Sequence, residues 1–154
     1  MGRILLVYDT KGGSTDEIIG WIKDGAESQG ASVDIKMAHT ARSLDFDLIV
    51  VGTPIYNERP MKSVRDFLRR DDLRNKRVAL FVVCFAGVFG MRNFMVRRYL
   101  EELKRLCTGT VVKQTSFDSA SGPWRKLNRS VCVDFGKELA SIMKQQPTAL
   151  EAAG

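Results

Sequence analysis

Apolar runs of strand length alternate with stretches of helical period along nearly the whole chain, and that alternation leaves little choice of architecture. Ile4–Tyr8, Leu48–Val51 and Val78–Cys84 are continuous apolar runs, as expected of strands covered on both faces. Val33, Ile35 and Met37 alternate with Asp34 and Lys36, the pattern of a half-covered edge strand, and Thr110–Phe117 supplies a fifth strand. Between them run helical stripes: Ile18, Ile19, Ile22 and Ala26, stopped at Gly30; Met61, Val64, Phe67 and Leu68; Met95, Tyr99, Leu103 and Leu106; and Leu127, Val131, Phe135, Leu139 and Ile142. Strand and helix taking turns predict an α/β three-layer sandwich, a parallel sheet joined by right-handed crossovers with helices on both faces. No repeat, linker or second domain interrupts the pattern, and the 154 residues make one domain of ordinary size.

Ligands on such a sheet bind at the carboxyl ends of the strands. The segments there are DTKGGST, TPIYNERP, FAGVFG and DSASGPW, rich in hydroxyls, glycines and aromatics. The opposite-end connections, SQGAS and DDLRNK, read as ordinary turns, so one site at one end is expected. Hydrophobic content of 44% and charged content of 27% fit a soluble globular chain, and the apolar runs are too short to span a bilayer. No signal peptide or myristoylation pattern opens the sequence, and a cytoplasmic location is expected. Cys84, Cys107 and Cys132 have no zinc or redox spacing and read as buried reduced thiols. His39 has no neighbouring ligand, and no metal site is expected.

The first of these segments carries the clearest signal. Gly12 and Gly13 free the backbone for a tight turn, and Thr10, Ser14 and Thr15 add hydroxyls around amides that open a helix. The alternative is a Ser-capped helix start, with Ser14 and Glu17 as a capping box. The loop is neither a Walker A loop nor the three-glycine dinucleotide turn. Other chemistries fail on particular residues. A Cys-x5-Arg phosphatase loop needs arginine where Gly90 stands, and a response regulator needs aspartate where Thr53 stands. His39, expected at the wrong end of the sheet, leaves no Ser-His-Asp set. Ile55, Tyr56, Phe85, Val88 and Phe89, on segments at the ligand end, call for something flat to cover them.

On Y-D-T-K-G-G-S-T (8 to 15), G-T-P-I-Y-N (52 to 57) and C-F-A-G-V-F-G (84 to 90), the chain closely resembles the flavodoxin family over residues 3 to 143. The resemblance implies a flavodoxin-like fold with a five-stranded parallel sheet in the order 2-1-3-4-5. It implies an FMN-binding domain over residues 1–144, with 145–154 a flexible tail. It assigns the FMN phosphate to Thr10, Ser14 and Thr15 and to the amides of Lys11, Gly12 and Gly13. Family members often carry a hydroxyl where this chain has Gly12. One flavin wall falls to Thr53, Pro54, Ile55, Tyr56 and Asn57. The other wall and the pyrimidine contacts fall to Cys84, Phe85, Ala86, Gly87, Phe89 and Gly90, with Trp124 beside them. The uninterrupted fifth strand is similar to short-chain members, and Y-N-E-R (56 to 59) is similar to archaeal and flavodiiron-type domains.

The function implied is a small soluble electron carrier with no catalytic residue of its own. The rival is an FMN-dependent oxidoreductase similar to protoporphyrinogen oxidases or to quinone and NAD(P)H reductases, for which Ser116–Leu127 is the candidate substrate segment. The net charge of +6 sets the chain apart from typical acidic flavodoxins. With no RNA- or DNA-reading motif, the basic surface points to redox proteins, an acidic ferredoxin among them, rather than nucleic acid. The carrier is expected to be a monomer or weak dimer.

Overall fold

The computed structural model describes residues 2–10, 14–56, 59–84, 92–118 and 129–145, with Ser14, Tyr56, Arg92, Asn93 and Asp118 described in their backbone alone. Strands β1 (Arg3–Tyr8), β2 (Ser32–Met37), β3 (Leu48–Tyr56), β5 (Arg77–Cys84) and β6 (Thr110–Asp118) pair in parallel in the order β2-β1-β3-β5-β6. This is the expected 2-1-3-4-5 order with one strand added. The sixth strand, β4 (Arg59–Pro60), turns back antiparallel on the end of β3, pairing Pro60 with Ile55 and Arg59 with Tyr56. A five-stranded sheet is thus corrected to six. Two residues with no apolar period leave β4 unmarked in the sequence.

Helices α1 (Ser14–Ser28), α2 (Lys62–Leu68), α3 (Arg92–Leu106) and α4 (Arg129–Lys144) cover the sheet, with a short 3-10 turn at Asp71–Leu73. One core layer joins Ile4, Leu6, Val50 and Phe81 of the sheet to Ile18 and Ile22 of α1 and Phe135 and Leu139 of α4. The other joins Leu5, Val51, Leu80 and Val82 to Val64 and Phe67 of α2 and Tyr99 and Leu103 of α3. Alternate residues of each central strand thus feed opposite layers, which is why those runs are continuously apolar.

Local signals account for the ends. Asp16 and Glu17 in the first turn of α1 favour its positive end. The helix stops in a Schellman turn, with Ala31 N–H donating to Ala26 O at 3.2 Å and Gly30 N–H to Glu27 O at 3.0 Å. Gly30 takes φ +89°, open to glycine without strain. Gly25 of α1 and Gly136 of α4 let the two helices meet backbone to backbone. A Cβ on Gly25 would lie 2.0 Å from Val133 O, and one on Gly136 2.1 Å from Ile22 O.

Two packing expectations need correction. Val131 is 47% exposed, and the face α4 buries is Cys132, Phe135, Gly136, Leu139, Ala140 and Met143. Apolar residues occupy both phases there, and the crossing at Gly136 sets the buried one. Leu127 lies outside the described residues. Cys84 and Cys132 are buried free thiols as expected, but Cys107 is only half-buried, because it follows the last turn of α3.

Candidate functional site

The loops after β1, β3 and β5 leave three strands adjacent in the sheet, so they emerge side by side at its carboxyl end. Among the described residues, two polar side chains are buried, Thr15 at 2% exposure and Thr53 at 0%, and both stand at this end. Thr15 lies in the first turn of α1, beside the helix N-terminus that the opening loop feeds. Thr53 lies near the end of β3, where its hydroxyl donates to Pro54 O at 2.9 Å and accepts the Met61 N–H at 3.1 Å. The expected flavin contact Thr53 is therefore the clasp that closes the β3–β4 hairpin against the start of α2.

Asp9 organises the other loop. One carboxylate oxygen accepts the Thr10 N–H at 2.7 Å, and the other accepts the Ser63 hydroxyl from the first turn of α2. The opening loop is thereby tied to the element that follows the second loop. Sequence reasoning missed both residues, since the partners are 54 positions apart and no local pattern links them. Just below, burial holds the Tyr8 phenol above its ordinary 10.0, reinforced by Asp16, which accepts its hydroxyl hydrogen bond, and by Asp9.

Of the other expected site residues, Thr10 is half-buried two residues past β1, Pro54 and Cys84 are buried, and Ile55 packs against the core layer that α2 and α3 cover. Ile55 is thus partly a core residue and only partly a candidate wall. Ser14 and Tyr56 are placed by their backbone at the start of α1 and the end of β3. Lys11, Gly12, Gly13, Asn57, Phe85, Ala86, Gly87, Phe89, Gly90 and Trp124 lie outside the described residues, as does Val88.

His39 needs a correction. Because β2 runs parallel to β1, the residues after Met37 lie at the carboxyl end as well, and Ala38 N–H donates to Tyr8 O at 2.8 Å. His39 lines a cleft of about 450 Å³ there with Lys62, Ser63 and Phe67. His39 thus stands at the carboxyl end, not at the opposite end expected from the sequence, because the segment after β2 leaves the same edge of the sheet.

The cationic run from Arg59 to Arg77 divides by role. Arg77, at the opposite end of the sheet, donates to Ile142 O at 2.9 Å and Met143 O at 3.1 Å, capping α4. Arg70 donates to Ala41 O at 2.5 Å and Arg42 O at 2.8 Å and pairs with Asp72. Its guanidinium hydrogen bond holds the Asp72 carboxyl below its ordinary range. Lys62 pairs with Asp66 at 2.7 Å one turn along α2 and lowers that carboxyl in the same way. Arg59 is exposed, with no ion pair to a described residue.

Known proteins share this sheet and its family signature. A flavodoxin-domain family model matches residues 5–121. A flavodoxin from the domain Archaea has the same fold at 18% identity and a TM-score of 0.62, covering 93% of this chain and 99% of that one. Flavodoxin 1 from Bacillus cereus gives 16% identity, a TM-score of 0.66, and coverage of 90% and 97%. A short-chain flavodoxin associated with a bacterial microcompartment gives 18%, 0.69, 94% and 100%. No curated protein sequence matches the chain. Among the described residues, no helix is long and apolar enough to cross a membrane, and no cluster of three His, Cys, Asp or Glu could hold a metal ion. The match over most of the chain, on a sheet of this order, makes the protein a member of the flavodoxin family.

Proposed function

We propose that this protein binds FMN at the carboxyl end of the sheet and works as a small cytoplasmic electron carrier between redox proteins. The observation that carries the reading is the convergence of the β1, β3 and β5 loops on one end, where Thr15 and Thr53 are the buried polar residues among those described. A phosphate fits the start of α1, where backbone N–H groups, the helix dipole and the hydroxyls of Thr10, Ser14 and Thr15 all favour an anion. Lys11, Gly12 and Gly13 contribute their amides. The residues that would hold the flavin ring are Tyr56 and Asn57 from the second loop, Phe85, Gly87, Phe89 and Gly90 from the third, and Trp124.

Bound FMN supplies the electron chemistry. The described hydrogen bonds at this end tie together the elements that flank the loops. The Thr53–Met61 bond fixes one wall, and the Asp9 bonds to Thr10 and Ser63 fix the phosphate loop against α2.

The experiment is anaerobic electron exchange with the FMN-loaded chain. Reduction by a plant-type ferredoxin and re-oxidation by cytochrome c should be stoichiometric, without catalytic consumption of NAD(P)H in the presence of quinones. Many turnovers of NAD(P)H or quinone per protein would replace the carrier by the oxidoreductase.

A further inference from the structure

We propose that the face of α3 carrying Phe94, Arg98 and Arg105, with Arg59 of β4 opposite, is a docking surface for an acidic protein. Phe94, Arg98 and Arg105 are spaced four and seven residues apart and so share one helical face. Phe94 is 66% exposed in the first turn of α3, an aromatic ring left in solvent at the carboxyl end of the sheet. Arg59, Arg98 and Arg105 then line a cleft of about 550 Å³ with Tyr99, Glu101 and Glu102.

The three arginines are exposed, and none forms an ion pair with a described residue. That sets them apart from the cations of α2 and the turn after it, where Lys62, Arg70 and Arg74 each hold an aspartate. Cations held in no ion pair, in excess over the two glutamates and beside an exposed ring, form the usual composition of a recognition patch, an apolar anchor within charges that steer the approach.

The spacing favours one class of occupant. Arg98 and Arg105 are separated by about 10 Å of helix rise, too far for one phosphate or carboxylate to bridge. Glu101 and Glu102 stand between them and would repel a uniform polyanion such as a nucleic acid backbone. A protein surface with separate carboxylates and an apolar patch meets both conditions. This rests on the carrier reading in one respect: it makes the partner a redox protein, brought close to the end of the sheet where FMN is proposed.

The test uses the full chain and a plant-type [2Fe–2S] ferredoxin as probe, with Kd measured by thermophoresis at low and high salt. Arg98→Glu with Arg105→Glu should weaken binding about tenfold or more, and Phe94→Ser should weaken it severalfold. Arg74→Glu with Lys137→Glu changes net charge equally, on exposed positions elsewhere, and should cost less than about twofold. Equal losses in both double variants would reduce the effect to net charge and overturn the proposal, as would an unbound ferredoxin or unchanged binding in R98E/R105E. A DNA duplex that bound more tightly than ferredoxin and responded to the same arginines would overturn it too. FMN affinity is read on each variant separately. A chain that docks ferredoxin through Arg98 and Arg105 yet takes no FMN keeps this surface and loses the carrier reading.

Discussion

The hydroxyl of fully buried Thr53 and the N–H of half-buried Met61 meet at 3.1 Å, across eight residues of chain. One side chain thereby ties β3 to the residue that precedes α2. Replacing Thr53 by Val keeps the shape and removes the acceptor, leaving the Met61 amide unpaired. The expected cost is about 1–3 kcal/mol in urea unfolding, with a parallel loss of FMN affinity. Thr53→Ser should recover most of both. A Val variant as stable as the parent would show that the clasp holds nothing.

The α1–α4 crossing makes a sharper steric prediction. Gly25→Ala and Gly136→Ala each place a Cβ about 2 Å from a backbone carbonyl oxygen of the other helix. Neither backbone can retreat without parting the helices, so each change should destabilise by at least about 1–3 kcal/mol. Gly20→Ala, in the same α1 with nothing within 4 Å, should instead stabilise by up to about 1 kcal/mol. Thermal melts of the three variants decide it, and the same sign for Gly20 and Gly25 would contradict the packing described.

Much of this was legible in the sequence. The continuous apolar runs mark the buried strands, the alternation of helix and strand marks a parallel sheet, and the order of its strands follows from the resemblance to flavodoxins. The first loop stood out because two glycines and three hydroxyls crowd the start of a helix. What was not legible depended on pairs distant in the chain. No period reveals that Asp9 holds Ser63, that Thr53 holds Met61, or that β4 folds back on β3. The buried face of α4 was misjudged for a related reason. Val131 and Cys132 are both apolar, and only the contact at Gly136 chooses between them. His39 was misplaced because β2 was overlooked as a strand with a carboxyl end of its own.

Cys132 predicts a pH dependence. Burial lifts its thiol from an ordinary 9.0 to about 11. The unfolded chain therefore ionises first, and stability present below about pH 9 is lost as pH rises towards 11. Cys132→Ala should flatten that part of the stability profile relative to the parent. Thiol labelling should also find half-buried Cys107 before Cys132, although burial raises the Cys107 thiol as well. Identical alkaline profiles for parent and variant would mean that Cys132 titrates normally.

The central claim, that the loop from Thr10 to Thr15 holds the phosphate of FMN, is tested most directly by flavin titration. FMN and riboflavin are added separately to the apoprotein, and binding is followed by quenching of flavin fluorescence, for the parent and for Ser14→Ala with Thr15→Ala. The account predicts one FMN per chain, much weaker riboflavin binding, and a double variant that loses about 2–4 kcal/mol for FMN while riboflavin changes little. Equal affinity for FMN and riboflavin in the parent, or equal losses for both in the variant, would contradict it.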